Sequence, residues 1–527
     1  MKHIVSKSII IISIISLFIG CGEDGFIDTT PSINDLSGDG PLTISGTISY
    51  ERVQAQHSGT FTRLNYNNLT HETAKEVLIK AIDSRGRTIA STSTDSEGKY
   101  TLEGIPESAF LKIRVYAQMI KDSTWDVKVI DNTNNSAQYI LEGSLANTGT
   151  SSTIRDLSAS ASDDSAAPFA ILDSIHQAML KVQTGDNNIN FPALKINWSV
   201  NNVSSGTFSP SRGLLYTTFY QDKNIYVLGK KDVDADEFDN HVIIHEWGHY
   251  FEDVFSKMDS IGGGHSSGNH LDIRVAFGEG WGNAFSAMAT DDPVYFDTSR
   301  NGASGWNMNI EAATKDTPGF FSEASIQRVL YDLYDNNDDG TDTLSLGFKP
   351  LYDVFVGAQK TTPAFTSIFS FITALKNENS SSATKIDAIL ANEEINTITD
   401  IYGSTLVDNN LNSDVLPLYT TITVGNSINT CTNNTYGVVN KLANNKYLRL
   451  TVTSTANYAI NVSQTNGISA VPNFTLYKAG NRETLLNSEN TAQTRVSRNI
   501  RLSTGDYLVN VTDKRGSSRA CFDIAIN

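Results

Sequence analysis

The chain has 527 residues and a formal net charge of −18 at pH 7. This charge excludes a protein that binds nucleic acid electrostatically and one that docks on acidic lipid through a basic patch. With 39% hydrophobic and 19% charged residues, the composition is that of a folded protein with several domains. We expect no nucleic-acid partner, and we expect the chain to act as a monomer.

The first 41 residues are predicted to lie outside the fold. Residues 1–21 have a positively charged start and an apolar core that is too short to span a membrane comfortably. Their end, Phe18-Ile-Gly-Cys21, resembles the signal peptide of a bacterial lipoprotein. The resemblance implies lipidation of Cys21, a flexible tether over residues 22–41, and a lipid anchor in the cell envelope, at the outer membrane or cell surface. An ordinary secretory signal is the alternative.

Residues 42–145 are predicted to form a small antiparallel β-sandwich. Apolar and polar residues alternate in short runs such as Leu42–Tyr50 and Leu111–Tyr116, with turn residues between the runs. The stretch Thr94–Pro106 resembles the regulatory-like domain found beside many carboxypeptidases, and we interpret this domain as a spacer. Residues 146–165 are rich in Ser, Thr, Ala and Asp and are predicted to be a linker.

The next segment begins with a helix and continues with strands. Pro168–Val182 has apolar residues at helical spacing. Asp236 and Asp239 are placed to cap or charge the start of a second helix. Strands are predicted before these two aspartates at residues 194–200, 213–220 and 224–228.

The stretch His241–Asp253 is predicted to be a helix that binds a metal ion. His245 and His249 are four positions apart in the sequence, so on a helix they lie about 40° apart on one face. Two imidazoles placed in this way can bind one Zn²⁺. Glu246 lies about 100° round from His245, where it can take a proton from an activated water rather than bind the ion. A helix with two structural histidines is the alternative.

A further helix is predicted at Gly278–Met288, and it supplies the third metal ligand. Glu279 follows His249 at a distance that allows a loop and a return of the chain, and it would leave the fourth metal position to water. Gly280 and Gly282 each cost about 1 kcal/mol against alanine in a helix interior. Such glycines make sense where another helix must come close.

The motifs His245-Glu-Trp-Gly-His249 and Gly278-Glu-Gly-Trp-Gly282 resemble those of the gluzincin metallopeptidases, with the fungalysin branch as the nearest match. The resemblance implies Zn²⁺ held by the two histidines and Glu279, with Glu246 as general base. It also implies an α+β fold in which a two-lobed thermolysin- or fungalysin-like core over residues 166–415 is flanked by two small β-sandwiches. In this architecture the strand Asn224–Leu228 would form the cleft edge, where free backbone groups can pair with an extended peptide.

Two departures from the family pattern concern groups around the metal. Asn283 stands where the family usually has an aspartate bonded to the first histidine, and an amide accepts that bond without the negative charge that strengthens the imidazole as a donor. The downstream histidine that many gluzincins use is also missing, since His270 is the last histidine of the chain. The oxyanion would have to be stabilised by one of four other residues, or the role is absent. These candidates are Tyr331, Tyr334, Tyr352 and Arg328.

The loop Gly262–His270 lies between the predicted ligands in the sequence, and its length requires it to lie near the metal. His265 and His270 on this loop could be alternative ligands. We interpret them as loop residues, because Glu279 stands on regular structure and is better placed.

Ser322–Tyr334 is predicted to be an amphipathic helix that runs into an acidic turn. The spacing within the turn resembles the first half of a Ca²⁺ loop, so Ca²⁺ is a candidate second cofactor. The closing glutamate is absent, with Leu346 in its place, and an acidic turn without a metal is the alternative. The candidate ligands are Asp335, Asn337, Asp339 and Asp342, and further helices are predicted at 351–356, 364–376 and 385–391.

Residues 416–527 return to strand-like alternation, as in Lys446–Val452 and Gly505–Val511. This segment resembles the pre-peptidase C-terminal β-sandwich of secreted peptidases. Apart from Cys21, the chain contains Cys431 and Cys521. Two cysteines in an exported chain suggest one disulfide.

The leading hypothesis is a zinc metalloendopeptidase that is anchored at the bacterial cell surface and cleaves peptide or protein substrates. One alternative is an aminopeptidase or another hydrolase on the same zinc site, which an acidic anchor for a substrate amine near the cleft would favour. The other alternative is a non-catalytic surface-binding lipoprotein, which the missing downstream histidine favours.

Overall fold

The computed structural model describes residues 38–121, 124–231, 233–300, 304–312, 317–336, 343–408, 410–466, 470–481 and 483–527. Within these residues the fold is of the α+β class, with sheets towards both ends of the sequence and helices between them. The helices are α1 (Ala167–Gln183), α2 (Asn240–Phe255), α3 (Ile273–Thr290), α4 (Glu323–Tyr334), α5 (Phe348–Val354), α6 (Ile368–Glu378) and α7 (Ala383–Asn392).

The strands are long and alternating at the two ends of the described chain and short in between. They are β1 (Leu42–Ser58), β2 (Phe61–Thr73), β3 (Val77–Asp83), β4 (Thr88–Ser93), β5 (Lys99–Ile105), β6 (Phe110–Lys121), β7 (Trp125–Asp131), β8 (Ala137–Gln138), β9 (Ile140–Glu142), β10 (Ala146–Asn147), β11 (Thr153–Ile154), β12 (Leu157–Ala159), β13 (Leu194–Trp198), β14 (Val203–Ser204), β15 (Leu214–Leu215), β16 (Phe219–Gln221), β17 (Asn224–Val227), β18 (Gly229–Lys230), β19 (Asp234–Ala235), β20 (Val294–Ser299), β21 (Ser304–Asn309), β22 (Tyr419–Ile422), β23 (Ser427–Asn433), β24 (Asn445–Val452), β25 (Ala456–Gln464), β26 (Pro472–Lys478), β27 (Thr484–Asn487), β28 (Arg495–Leu502), β29 (Gly505–Asp513) and β30 (Arg519–Ile526).

One sheet runs through the first predicted domain and into the next. Its main path is β16-β17-β13-β7-β6-β3-β4, and β13 pairs in parallel with β7 from Leu194 opposite Val127 to Trp198 opposite Asp131. A single apolar core extends from β1 through the helices. The strands of residues 42–145 therefore share their sheet and their core with the segment that follows, although the domain limits themselves remain predictions.

The segment predicted as a linker, residues 146–165, is built into the sheets. Its short strands β11 and β12 pair in parallel with β1, and β10 pairs with β6. The side chain of Arg155 donates to the backbone carbonyl of Leu111 at 2.9 Å. A polar composition predicted a free linker, but the backbone groups of this segment find partners on strand edges nearby.

The C-terminal strands form two facing sheets. One has the order β22-β24-β29-β26-β27 and the other the order β23-β30-β25-β28. A second apolar core, which includes Leu448, Phe474 and Phe522, lies between them. Cys431 and Cys521 are opposite each other on β23 and β30 and form a disulfide.

Close contact between α2 and α3 depends on glycine. A Cβ atom on Gly282 would lie 2.8 Å from the ring of His245, and one on Gly248 would lie 3.3 Å from the Cα atom of Gly282. Any larger residue at position 282 would push the His245 ring out of place. These glycines lower helix propensity, and the close approach that they allow explains why they stand in helix interiors.

The starts of both helices differ from the prediction. Asp239 precedes α2, but its carboxylate makes no cap bond to the helix; it accepts from the backbone N–H of Thr298 at 2.6 Å instead. Helix α3 begins at Ile273, because Asp272 caps it by accepting from the N–H of Arg274 at 3.1 Å. The predicted start at Gly278 was therefore too late.

The predicted cleft-edge strand was also wrong. Strand β17 pairs with β13 on one side and with β16 on the other, so its backbone groups are engaged. In the described part of the chain the sheet ends at β16, and Phe219–Gln221 is the edge. Among the described residues, no helix combines the length and the apolar character needed to cross a membrane.

Candidate metal centre

Three side chains from α2 and α3 meet in the interior. His245 and His249 come from successive turns of α2, and Glu279 comes from the second turn of α3. The Nε2 atoms of the two histidines are 3.1 Å apart. The Oε2 atom of Glu279 lies 3.3 Å from the first of them and 3.4 Å from the second.

These spacings fit a tetrahedral metal ion. An ion bound at roughly 2.0–2.1 Å to each ligand holds its ligand atoms about 3.3–3.4 Å apart. The three measured distances, 3.1, 3.3 and 3.4 Å, match that edge length. Two imidazoles and a carboxylate are a donor set that zinc accepts, and three protein ligands leave one position for water or substrate.

Polar groups lie behind both histidine rings, and one of them orients the ring of His245. Nδ1 of His245 lies 2.8 Å from Oδ1 of Asn283, and Nδ2 of Asn283 donates to Gln327 at 2.9 Å. The carboxylate of Glu252 lies 3.6 Å from Nδ1 of His249. The hydrogen bond to Asn283 fixes the His245 ring, which would face a metal through its other nitrogen, whereas 3.6 Å is an ion-pair distance and too long for a hydrogen bond. Glu252 was missed from the sequence, although its position three residues after His249 puts it on the same helix face.

Glu246 is buried beside the ligands and is held by the sheet edge. Its Oε2 atom accepts a hydrogen bond from the backbone N–H of Tyr220 on β16, at 2.7 Å. Burial raises the pKa of Glu246 above its ordinary value, although the nearby charges of His245 and His249 oppose the rise. A raised pKa brings this carboxyl closer to the range in which it can take and return a proton near neutral pH.

His265 belongs to this site, in contrast to its interpretation as a plain loop residue. Its Nε2 atom lies 3.3 Å from Oε2 of Glu279, and its Nδ1 atom lies 2.7 Å from Oε2 of Glu323 at the start of α4. Burial alone would lower the pKa of His265, but the carboxylates of Glu279 and Glu323 outweigh it and raise the pKa to about 9. Both ring nitrogens of His265 therefore face carboxylates, one of which belongs to the candidate metal ligand Glu279.

The C-terminal sandwich holds the loop that carries His265. The side chain of Asn440 donates to the carbonyl of Gly262 at 2.8 Å, and Nζ of Lys441 donates to the carbonyl of Gly264 at 2.6 Å. His270, the other predicted alternative ligand, is stacked between the rings of Phe321 and Tyr436, with centroids 4.2 and 4.3 Å away. It serves packing at the loop end rather than the metal centre.

The four residues expected to stabilise an oxyanion are engaged elsewhere or buried. Arg328 forms a two-point ion pair with Glu393 at 2.6 and 2.7 Å. Tyr334 accepts from Lys181 at 2.7 Å, Tyr352 lies 3.5 Å from Asp186, and Tyr331 is 6% exposed. All four candidates follow Glu279 in the sequence, whereas His265, which lies beside Glu279, precedes it.

Several predicted site residues fall outside the described part of the chain. Of the candidate calcium ligands, Asp335 follows the end of α4, whereas Asn337, Asp339 and Asp342 lie outside the described residues, as does Cys21. The acidic turn and the lipidation site therefore stay predictions.

Comparison with known proteins relates the segment around the metal centre to a peptidase family. The family of the Mycolysin C-terminal domain matches residues 183–392, a range that contains His245, His249 and Glu279. No curated protein matches this chain.

Solved structures show only distant likeness. The pre-peptidase C-terminal domain of collagenase from Bacillus anthracis is 13% identical, covers 21% of this chain and 94% of its own, and has a TM-score of 0.18. The M60 catalytic domain with the CBM51-1 and CBM51-2 domains of ZmpB from Clostridium perfringens is 9% identical, covers 94% of this chain and 73% of its own, and has a TM-score of 0.24. At these TM-scores neither structure defines the fold or the activity of this chain.

The family match and the side-chain geometry concern the same part of the chain. Residues 183–392 match a peptidase-related family, and the described chain has an α+β fold. It contains a buried group of two histidines and a glutamate with the spacing of metal ligands.

Proposed function

We propose that this protein is a zinc-dependent metalloendopeptidase with a two-lobed, thermolysin- or fungalysin-like core. The observation that carries the proposal is the convergence of His245, His249 and Glu279 to within 3.1–3.4 Å of one another, with Glu246 buried beside them. The match of residues 183–392 to a peptidase-related family supports the same class.

The three ligands would hold the zinc, and the chain's other groups would handle the protons. When bound, zinc lowers the pKa of a water to about 7 and polarises the carbonyl of the scissile bond. Glu246 accepts the proton of the attacking water and passes it to the leaving amine. The hydrogen bond from the N–H of Tyr220 keeps one oxygen of Glu246 at the sheet edge, so its carboxylate is held in one place for both transfers.

The substrate is a peptide that extends along β16. Phe219–Gln221 is the end of the sheet path within the described residues, and an extended peptide can add to such an edge through backbone hydrogen bonds. Tyr220 uses its own N–H on Glu246, so the peptide would bond to the remaining backbone groups of this edge, beside the proposed general base. Recognition through the backbone favours cleavage within chains of varied sequence.

His265 takes the role of stabilising the oxyanion. Its Nδ1 atom is held by Glu323, and its Nε2 atom lies 3.3 Å from Oε2 of Glu279. In this proposal Nε2 shifts its hydrogen bond from Glu279 to the oxyanion when the substrate reacts. A charged or polarised N–H donor aimed at the developing negative charge stabilises the transition state. If His265 serves in this way, the missing downstream histidine no longer favours a non-catalytic binding protein.

An aminopeptidase is not favoured by the acidic residues around the site. Glu252 and Glu323 are close to the ligands, but each lies against a histidine rather than open to a substrate amine, at 3.6 Å from His249 and 2.7 Å from His265. A free carboxylate would be needed to hold the positively charged end of a peptide.

A cellular location is proposed from the sequence alone. We propose that Cys21 carries lipid and anchors the protein at the outer membrane or cell surface, with residues 22–41 as a tether. The proposal is supported by the lipoprotein-like end of the signal segment, Phe18-Ile-Gly-Cys21. Metabolic labelling with a radioactive fatty acid should mark the wild-type protein and not Cys21→Ser; equal labelling of both would contradict the anchor.

Metal analysis combined with a peptide-library digest tests the proposed activity. We expect zinc bound at one site per chain and loss of zinc in His245→Ala. We also expect cleavage at bonds inside the substrate peptides, so that some fragments begin and end at newly formed termini. Release of single N-terminal residues would indicate the aminopeptidase. Zinc without any cleavage, or no zinc at all, would contradict the proposal.

A further inference from the structure

A second group of acidic side chains lies just before α2, apart from the histidine site. Asp234 is on β19, Asp236 lies in the short connection to α2, and Asp297 is on β20. One carboxylate oxygen from each of the three lies within 4.8 Å of the others. We call these three residues the aspartate cluster.

The aspartate cluster contains buried oxygen atoms without a partner. Asp236 is 4% exposed; its Oδ2 atom accepts from the hydroxyl of Thr218, but its Oδ1 atom is buried and has no hydrogen-bond partner. The Oδ1 atom of Asp234 is also buried and has no hydrogen-bond partner. Burying a carboxylate oxygen without a donor or a cation is costly, so the arrangement points to a missing positive charge.

The lysine that directly precedes the cluster in the sequence does not supply this charge. Lys231, the last lysine before the cluster in the sequence, pairs with Asp164. Burial, together with repulsion from Asp297, Asp234 and Asp239, raises the pKa of Asp236 well above its ordinary value. Burial and the nearby Asp234 raise the pKa of Asp297 to about 7. The group is therefore poised to take up either protons or a cation.

We propose that the aspartate cluster is a calcium site. Its ligand atoms are all oxygens, which hard divalent cations prefer over the nitrogen-rich set at the histidine site. Ca²⁺ binds six to eight oxygens at about 2.3–2.6 Å, so two oxygens on opposite sides of the ion are roughly 4.6–5.2 Å apart. Oxygens that all lie within 4.8 Å of one another can belong to one such shell, whereas Mg²⁺ dehydrates reluctantly and is seldom held by protein oxygens alone.

A cation at this place would tie the β20–β21 hairpin to the start of the metal-binding helix. Asp297 and Asp236 would be joined directly. Beside them, Asp239, the residue before α2, already accepts from the hydroxyl of Thr298 on β20 at 2.9 Å. Tyr295, two residues before Asp297, packs its ring against His245 with centroids 6.2 Å apart. The calcium site would therefore fix the strand that lies against the first zinc ligand.

Calcium titration of the mature chain tests this inference, which does not depend on the proposed peptidase activity. The protein is stripped of divalent ions and reloaded with zinc, and binding of calcium is followed by calorimetry. Terbium(III) luminescence reports on the same place, because Trp306 lies opposite Asp297 across the hairpin and stacks on Tyr295 at 5.6 Å. Calcium should displace terbium and quench the sensitised emission.

Four kinds of variant identify the site. Asp236→Asn and Asp297→Asn should each weaken calcium binding by about tenfold or more, since each removes one charged ligand. Asp339→Asn, in the acidic turn, should leave the sensitised terbium signal unchanged. Asp523→Asn is a matched control, because Asp523 is an exposed aspartate of the C-terminal sandwich. Trp306→Phe should lower the emission without changing the calcium affinity.

Melting temperatures of the wild-type protein and of the asparagine variants provide a second test. Calcium should raise its melting temperature, and Mg²⁺ at the same concentration should raise it less. The asparagine variants should melt at or above the wild-type temperature without calcium, because they relieve repulsion, and should gain little when calcium is added. No calcium effect on wild type, an equal effect of Mg²⁺, or loss of the signal in Asp339→Asn instead of Asp236→Asn would overturn the assignment.

Discussion

Asn283 accepts a hydrogen bond from Nδ1 of His245, with 2.8 Å between the two atoms. The amide is fixed in this direction because its own N–H group donates to Oε1 of Gln327 at 2.9 Å. The proton of His245 is therefore held on Nδ1, and Nε2 presents its lone pair to the metal position. In the gluzincin family that the sequence resembles, a carboxylate usually accepts this hydrogen bond. The neutral amide of Asn283 accepts it too, but it attracts the imidazole proton less strongly.

Substitution of Asn283 should change zinc affinity in both directions. Asn283→Ala removes the partner of His245 and should weaken zinc binding by about 10–100-fold. Asn283→Asp should tighten it, since a carboxylate makes the imidazole a stronger ligand and Gln327 can turn its amide to donate. Competition with a chelator of known affinity measures both effects. Asn457→Ala, at an exposed position of β25, is the control, and equal affinities in all four proteins would refute the role.

Glu246→Gln should separate chemistry from metal binding. The amide keeps the shape of the side chain but cannot accept the proton of the attacking water, so kcat should fall by about 10²–10⁴-fold. Zinc content should stay unchanged, because Glu246 is not one of the three converging ligands. Peptidase assays and metal analysis of the same preparation give the answer. Glu483→Gln, at an exposed position, should behave like wild type, and retained turnover in Glu246→Gln would rule out the general base.

His265→Asn should lower kcat by about 10²–10³-fold while the zinc content stays the same, because a transition-state donor is lost and no ligand is. Glu323→Gln should lower kcat less, since it only orients the ring of His265. His71→Asn, at an exposed histidine, is the matched control. If zinc is lost in His265→Asn, the residue is a ligand and not a donor to the oxyanion.

The disulfide between Cys431 and Cys521 should stabilise the C-terminal sandwich. It closes a loop with a sequence separation of 90 residues, so the double change to serine should lower the free energy of unfolding by up to about 4–5 kcal/mol in a chain-entropy treatment. Urea unfolding followed by circular dichroism measures the loss. The reduced wild-type protein should match the double variant, and unchanged stability in both would contradict the prediction.

Stability without calcium should depend on pH through Asp297. Its pKa is raised to about 7 in the fold by burial and by Asp234, from an ordinary value of 3.8. The stabilisation from the protonated group is complete below pH 3.8 and is lost as the pH rises through about 7. The free energy of unfolding of wild type, relative to Asp297→Asn, should therefore fall between these pH values. Calcium should abolish this decrease in the relative free energy of unfolding. A free-energy difference between wild type and Asp297→Asn that rises with pH would contradict the prediction.

Local pattern was sufficient for the helices and for the two histidines. The apolar spacing of Pro168–Val182 predicted α1, which spans Ala167–Gln183, and the four-residue spacing of His245 and His249 places both rings on one face. Periodicity and spacing predict structure within a single helix, because the rise and rotation per residue fix which side chains share a face. For the same reason the alternating runs of the C-terminal segment correspond to strands β24, β25, β26 and β29.

What the sequence by itself determined is the chemistry available on single elements: the histidine pair, the neighbouring glutamate and the acidic residue of the next helix. Only the tertiary structure decided which strand is the sheet edge, that His265 reaches Glu279, and that Asp297 joins Asp234 and Asp236. These relationships join residues that are distant in the chain. They depend on how sheets and helices bury their apolar faces against one another, and no local period encodes the outcome of that packing.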